Sequence, residues 1–409
     1  MSRLTEIDKP PKPALKSVGP HQFRRIGKFV LACDDSGRFA FLSQAEYLGY
    51  LKGLKRGTAL RDKLAIAGLM SDSFDFDEAA RFAAEKSLLS WPGPSTHLLK
   101  LGAAGRAMSL ATAKRAVDFA FSAPARDVGL ELIPERLESE WGLVWFIVQY
   151  ARRQGEWRKK AVSLTVRVEA ALPARMKEFL DGHRVDLRAV VEIAGPPSVA
   201  VPGARRVLAR VNAPAEAASG WIDALSEAGV ESILLEPSGS AKDFLAFYAA
   251  ALDRMLQLQG RRDMREERGL GFLSGRRWLL PGHDVLSELC YAPDGSIYSG
   301  ELAASLDEEA RDLLKLGELG SRRFDDLAKG PAVRAVLAAS LSENQPMCSQ
   351  CVYRPFCAVA PSENLRSQGT LWGRHPSSER CALHMALLDI LFSRLARTES
   401  AEALRQWLS

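Results

Sequence analysis

The 409-residue chain has no apolar run long enough to cross a bilayer: the longest, Leu143 to Ala151, falls far short of the roughly 20 residues a spanning helix needs. Its first residues are polar and rich in proline and carry no apolar segment of the secretory kind, so a soluble chain in the cytoplasm is expected, with no membrane partner. Charge of one sign is also lacking. The 55 basic and 50 acidic residues leave +5, which argues against nucleic acid as a partner. The clearest basic run, Arg261-Arg262 to Arg276-Arg277, is broken by Asp263, Glu266 and Glu267, and it reads as a solvated helix end or linker before it reads as an anion patch. No phosphate loop is present, since Lys100-Leu101-Gly102-Ala103-Ala104-Gly105 has two glycines but no Gly-Lys-Ser/Thr. Cysteine is scarce at six, and none lies between Cys33 and Cys290.

What is there is a composition 47% hydrophobic, enough for a large core and more than one domain. Residues 1–22 read as a flexible arm, because Pro10, Pro11, Pro13 and Pro20 deny it regular hydrogen bonding. Residues 23–95 read as an N-terminal module of hairpin and helices, winged-helix-like in outline. Phe23 to Ala32 and Arg38 to Leu42 are β-prone and joined by Asp34-Asp35-Ser36-Gly37, and Ser43 with Glu46 forms a capping box that starts a helix. Further helical patterns follow at about 58–69 and 76–89.

From about residue 96 to 275 strands and helices alternate. Strands are expected at Val128 to Ile133, Val162 to Val168, Asp186 to Ile193, Arg206 to Val211 and Ser232 to Glu236, with helices at about 109–122, 138–154, 173–182, 214–228 and 241–259. Repeated βα units of this length imply an α/β fold with a parallel sheet, either doubly wound or a partial TIM-like barrel. Active sites of such folds lie at the C-terminal ends of the strands. The acids near those ends are Glu135, Glu169 and Glu236. Glu135 and Glu138 also suit a helix start, which attracts carboxylates for electrostatic reasons alone.

The strongest chemical signal lies at 276–409. Cys348-Ser-Gln-Cys351-Val-Tyr-Arg-Pro-Phe-Cys357 is followed by Cys381. A C-x2-C pair lets two thiolates converge on one ion from a tight turn, and two more distant cysteines complete four ligands. The thiolates alone do not distinguish zinc from a [4Fe–4S] cluster. His384 reads as a supporting or surface residue rather than a ligand. Cys290, between two strands around Pro293-Asp294-Gly295, reads as packing.

The turn followed by C-x2-C-x5-C and a distal cysteine resembles the SPASM-type auxiliary-cluster domain of radical SAM enzymes that modify ribosomal peptides. The flanks, with Ala358-Val359-Ala360-Pro361, Gln368-Gly369 and Ser378-Glu379-Arg380-Cys381, resemble the B-type maturase of the His-Xaa-Ser peptide system. Gly37 to Ser43, Met108-Ser109 and Leu314 to Gly317 extend the likeness upstream. The resemblance implies a radical-SAM-like barrel at 96–275 and a SPASM-like domain at 276–409. It also implies a C-x3-C-x2-C motif after the first barrel strand, to hold the cluster that binds S-adenosylmethionine. Here Leu98 to Gly105 runs into the Met108 helix without a cysteine, and the Gly-Gly-Glu-Pro landmark corresponds to Ile133-Pro134-Glu135-Arg136, with both glycines gone.

The sequence therefore points to a non-catalytic radical-SAM-like partner protein in peptide maturation, with Cys348, Cys351, Cys357 and Cys381 holding one [4Fe–4S] or zinc centre and no S-adenosylmethionine site. Its expected partner is a precursor peptide, an active radical SAM maturase, or both. The alternatives are a maturase that uses a partner's cluster, an enzyme with other chemistry at Glu135, Glu169 or Glu236, and a structural zinc scaffold. In that last case the apolar stripe Met385, Leu387, Leu388, Ile390, Leu391 and Leu395 would face a partner, although such a stripe is more often core.

Overall fold

A computed structural model describes residues 17–85, 93–94, 96–103, 105–197, 203–274, 284–321 and 323–408. The chain forms two compact units, one of residues 1–87 with Gln350–Pro355, the other of Leu88–Ser349 with Phe356–Ser409. Residues 1–16 of the expected arm, the end of the 76–89 helix and Arg276-Arg277 lie outside the described residues.

The N-terminal unit is built on an antiparallel sheet of β1 (Gln22–Ile26), β2 (Phe29–Cys33) and β3 (Phe39–Ser43), in that order. The segment read as one strand over Phe23 to Ala32 is two, because Gly27, at φ 57°, reverses the chain between Ile26 and its partner Phe29. The Asp34 carboxylate fixes the next turn, accepting from the backbone N–H groups of Ser36 and Arg38 at 3.0 and 2.9 Å. The capping box forms as expected: Ser43 Oγ accepts from Glu46 N, and the Glu46 carboxylate accepts from Ser43 N at 2.6 Å. That helix, Gln44–Lys52, and the next, Ala59–Ile66, close a core of Val30, Leu42, Tyr47, Tyr50, Leu64 and Met70. A short piece of the C-terminal cysteine segment completes the unit. Arg354 pairs with Asp35, and Arg24 lies 5.7 Å over the ring of Tyr353, which is fully buried.

The larger unit carries a ten-stranded sheet. Its strands are β4 (Thr96–Lys100), β7 (Asp127–Ile133), β8 (Ala161–Val168), β9 (Asp186–Ile193), β10 (Arg206–Val211), β11 (Ser232–Pro237), β12 (Arg265–Glu266), β13 (Glu288–Tyr291), β14 (Ser296–Tyr298) and β15 (Lys315–Glu318). The order is β12-β11-β10-β9-β8-β7-β4-β13-β14-β15. A separate ribbon of β5 (Gly102–Ala103) and β6 (Arg106–Ala107) follows β4. From β4 to β12 each new strand of the sheet pairs in parallel with the last one, always on the same side. Right-handed crossovers that always step one way put every helix on one face. This progression is that of a barrel-type sheet, and not the reversing order of a doubly wound one.

Side-chain alternation agrees. One face of the parallel strands is apolar and buried, with Leu130, Leu132, Leu164, Val166, Leu187, Ala189, Val207, Ala209, Ile233 and Leu235. The other carries Glu131, Arg167, Arg188, Arg206 and Ser232. The last four stand side by side in register across β8 to β11. On the other side of β4, β13 and β14 form the expected hairpin, with Gly295 at φ 91° in its turn, and β15 pairs with β14 at the edge. The final long helix, Glu379–Leu395, buries Leu387, Leu388 and Leu391 of its apolar stripe, with Phe392 beside them, and leaves Met385, Ile390 and Leu395 half-buried, so half of the stripe is core.

Candidate functional site

The polar face of the sheet is a charge ladder. Three guanidiniums brought together by strand register would repel one another, and the acids between them resolve this. Arg167 reaches Glu131 at 2.5 Å and Glu301 at 2.7 Å, while Glu267 takes Arg188 at 3.0 Å, Arg206 at 3.1 Å and the Ser232 hydroxyl at 2.5 Å. Burial opposes the charge on Glu131, but the Arg188 and Arg167 guanidiniums outweigh it and hold that carboxyl at about 2. Glu267 is lowered in the same way by Arg188 and Arg206. These carboxylates are committed to ion pairs and have no proton to exchange near neutral pH. Glu288, at the start of β13, behaves differently. Burial pushes it to about 8, against the pull of the Glu301 N–H that it accepts at 3.1 Å. The sequence singled out none of these residues. Of the acids it did single out, Glu135 and Glu169 are exposed, and Glu236 lies 3.9 Å from Arg268.

The loop after β4 is where the resemblance implies a cluster with S-adenosylmethionine. It is folded onto the loop after β7 instead. Leu101 N donates to Ile133 O at 2.9 Å, and Met108 N to Leu101 O at 2.7 Å, which closes the β5–β6 ribbon. Gly102 sits against two acids: a Cβ there would lie 2.2 Å from Glu140 Oε1 and 2.8 Å from Glu135 Cβ. The Glu140 carboxylate is held in place by Glu135 N at 2.9 Å, and burial raises its pKa. The residues at this position do not fit the implied group. They supply no thiol for iron, and the Glu135 and Glu140 side chains crowd Gly102 where the loop would have to open.

Of the four cysteines, Cys351 falls in the segment that belongs to the N-terminal unit, and Cys348, Cys357 and Cys381 belong to the larger one. All four are half-buried. Cys357 Sγ lies 3.5 Å from Nδ1 of His384, a buried ring packed edge-on against Phe272 at 5.1 Å. His384 is thus beside a thiol and not on the surface. Cys381 begins the last long helix, its N–H capped by Ser378 Oγ at 3.1 Å and its Sγ 3.8 Å from Met385 Sδ. Four thiols and an adjacent imidazole suit a thiophilic centre chemically. Among the described residues, however, no group of three or more Cys, His, Asp or Glu side chains is gathered to hold a metal ion. Cys290 is fully buried opposite Tyr298, a packing position, and burial raises its thiol pKa. Among the described residues, no helix is long and apolar enough to cross a membrane.

No family model matches the sequence, and no curated protein does. Solved structures do. One is native anSMEcpe with bound AdoMet, at 11% identity and a TM-score of 0.55. Another is the same protein with bound AdoMet and the Kp18Cys peptide, at 10% identity and a TM-score of 0.55. Each match covers 75% of this chain and 99% of that one. At such identity the likeness speaks for architecture alone, and it bears out the expected α/β, radical-SAM-like fold, which this chain shares with anSMEcpe.

Proposed function

We propose that this protein is a non-catalytic, radical-SAM-like partner in the maturation of a ribosomal peptide. The observation that carries the reading is the β5–β6 loop, which has no thiol and is closed onto Glu135 and Glu140 where a working enzyme of this architecture needs three cysteines. Peptide binding is supported by the fold it shares with anSMEcpe, which has been solved with peptide. In this reading Cys348, Cys351, Cys357 and Cys381 ligate one [4Fe–4S] cluster, with zinc as the alternative, and the N-terminal unit holds the peptide or a sister maturase. The centre would fix the chain around residues 348–381, and four thiolates would supply the charge that a cluster or zinc ion needs.

Anaerobic purification followed by iron, sulfide and zinc analysis tests the centre, and calorimetry with AdoMet tests the empty chemistry. About four irons per chain with broad visible absorbance supports the cluster, and one zinc without iron supports the staple. A chain without either metal would remove the centre. Saturable AdoMet binding with reductive cleavage would overturn the non-catalytic assignment.

A further inference from the structure

We infer that the groove between the helices Ala218–Glu227 and Ala241–Leu258 is a binding site for a small phosphorylated ligand, a site separate from the proposed centre and independent of the reading above. Both helices run back from the C-terminal strand ends, so the groove lies at the opposite edge of the sheet, where β11 and β12 begin. It encloses about 230 Å³ and is lined by Asp223, Ser226, Glu227, Arg254, Arg261 and Arg262. This is room for a phosphate group with a small substituent.

Two observations point to an anion. The first is uncommitted positive charge. Arg254 is taken by Asp223 at 2.7 Å and Gln257 at 3.1 Å, but among the described residues the Arg261 and Arg262 side chains have no ion-pair or hydrogen-bond partner. They are not spent on the helix ends. Leu258 O is already capped by the backbone N–H groups of Arg261 and Arg262, and Ala224 O by that of Ala228. The second is an orphaned polar group: Ser226 is 7% exposed, lines the groove, and its hydroxyl has no hydrogen-bond partner. A buried hydroxyl left unpaired is costly, and a rotation of the Ser226 side chain toward the groove would let a phosphate oxygen accept from it. Two fork-shaped guanidiniums beside one hydroxyl form a donor set suited to a tetrahedral oxyanion. Glu227 and Asp223 leave the groove with a net charge of only about +1, which favours one phosphate over an extended polyanion.

The test is calorimetric titration of the full-length protein with inorganic phosphate at low ionic strength. Saturable binding is expected. R261Q/R262Q should weaken it at least about tenfold, the effect of losing one charge-assisted contact, and S226A severalfold. R153Q/R175Q, two exposed arginines elsewhere, should leave it unchanged. Thermal denaturation keeps the result apart from folding defects: without phosphate, S226A should melt at or above the wild-type midpoint, because an unpaired hydroxyl has been removed, while its rise on adding phosphate should be smaller. No saturable binding would overturn the site, as would equal affinity in all four proteins, which would assign the phosphate to diffuse surface charge.

Discussion

Glu288 is a carboxyl whose proton the fold holds by burial. Because burial lifts its pKa from 4.5 to about 8, the folded protein keeps a proton that the unfolded chain has already released across that interval. The stability it contributes is full below about pH 4.5 and is lost as pH rises through about 8. E288Q should therefore flatten the pH dependence of the melting temperature, gaining on wild type from pH 5 to pH 8; parallel curves would show the shift to be absent. Glu131 has the opposite sign. Its pKa of about 2 lies below the ordinary 4.5, so its stabilisation is present at neutral pH and fades only in strong acid. Truncating its neighbour in R188A leaves Glu131 and Glu267 without one shared cation and should cost about 3 kcal/mol in urea denaturation, far more than an exposed arginine would. These residues were invisible in the sequence for a physical reason. A single charge inside an apolar strand says nothing of which charge will stand next to it, and only the register Arg167–Arg188–Arg206–Ser232 puts the ladder together.

The elements were more legible than the contacts between them. The strands β7 to β11 are short aliphatic and β-branched segments interleaved with polar residues and bounded by polar helix starts, and their observed limits fall within about two residues of those expected. The capping box at Ser43 was readable because its two hydrogen bonds are local; S43A should cost about 1 kcal/mol, measurable by thermal melting. The β1–β2 turn was not readable, since Gly27-Lys28 lacks the Asn-Gly or Asp-Gly pair that announces a two-residue hairpin. The β5–β6 ribbon was too short for any periodicity, yet the proposed loss of AdoMet chemistry rests on it. Gly102 is fixed there by close approach. Replacement with alanine in G102A must push aside a buried Glu140 carboxylate and should destabilise the ribbon by roughly 1–3 kcal/mol, visible as faster amide exchange at residues 101–108.

At the scale of the molecule, the cysteine motif was legible as spacing, while its division between two units was not, because sequence proximity does not say which core a loop joins. If the proposed centre forms, C357A and C381A should each lose metal in stoichiometric analysis and lower the melting temperature together, whereas C290A should change stability without changing metal content. Truncation gives a complementary check. A fragment of residues 1–87 alone lacks Gln350–Pro355, so Arg24 and Asp35 lose Tyr353 and Arg354, and it should be measurably less stable than the same fragment supplied with a 350–355 peptide.

The same discontinuity has a consequence for synthesis on the ribosome. The first 87 residues emerge early, but the segment that completes their unit follows only after 262 more, residues 88–349. At about 5–20 residues per second that interval is roughly 13–50 seconds, during which the slot for Tyr353 has no native occupant. The N-terminal sheet must wait, partly assembled, until residues 88–349 have been made, and a nonsense mutation anywhere among them would damage the N-terminal unit as well as the larger one.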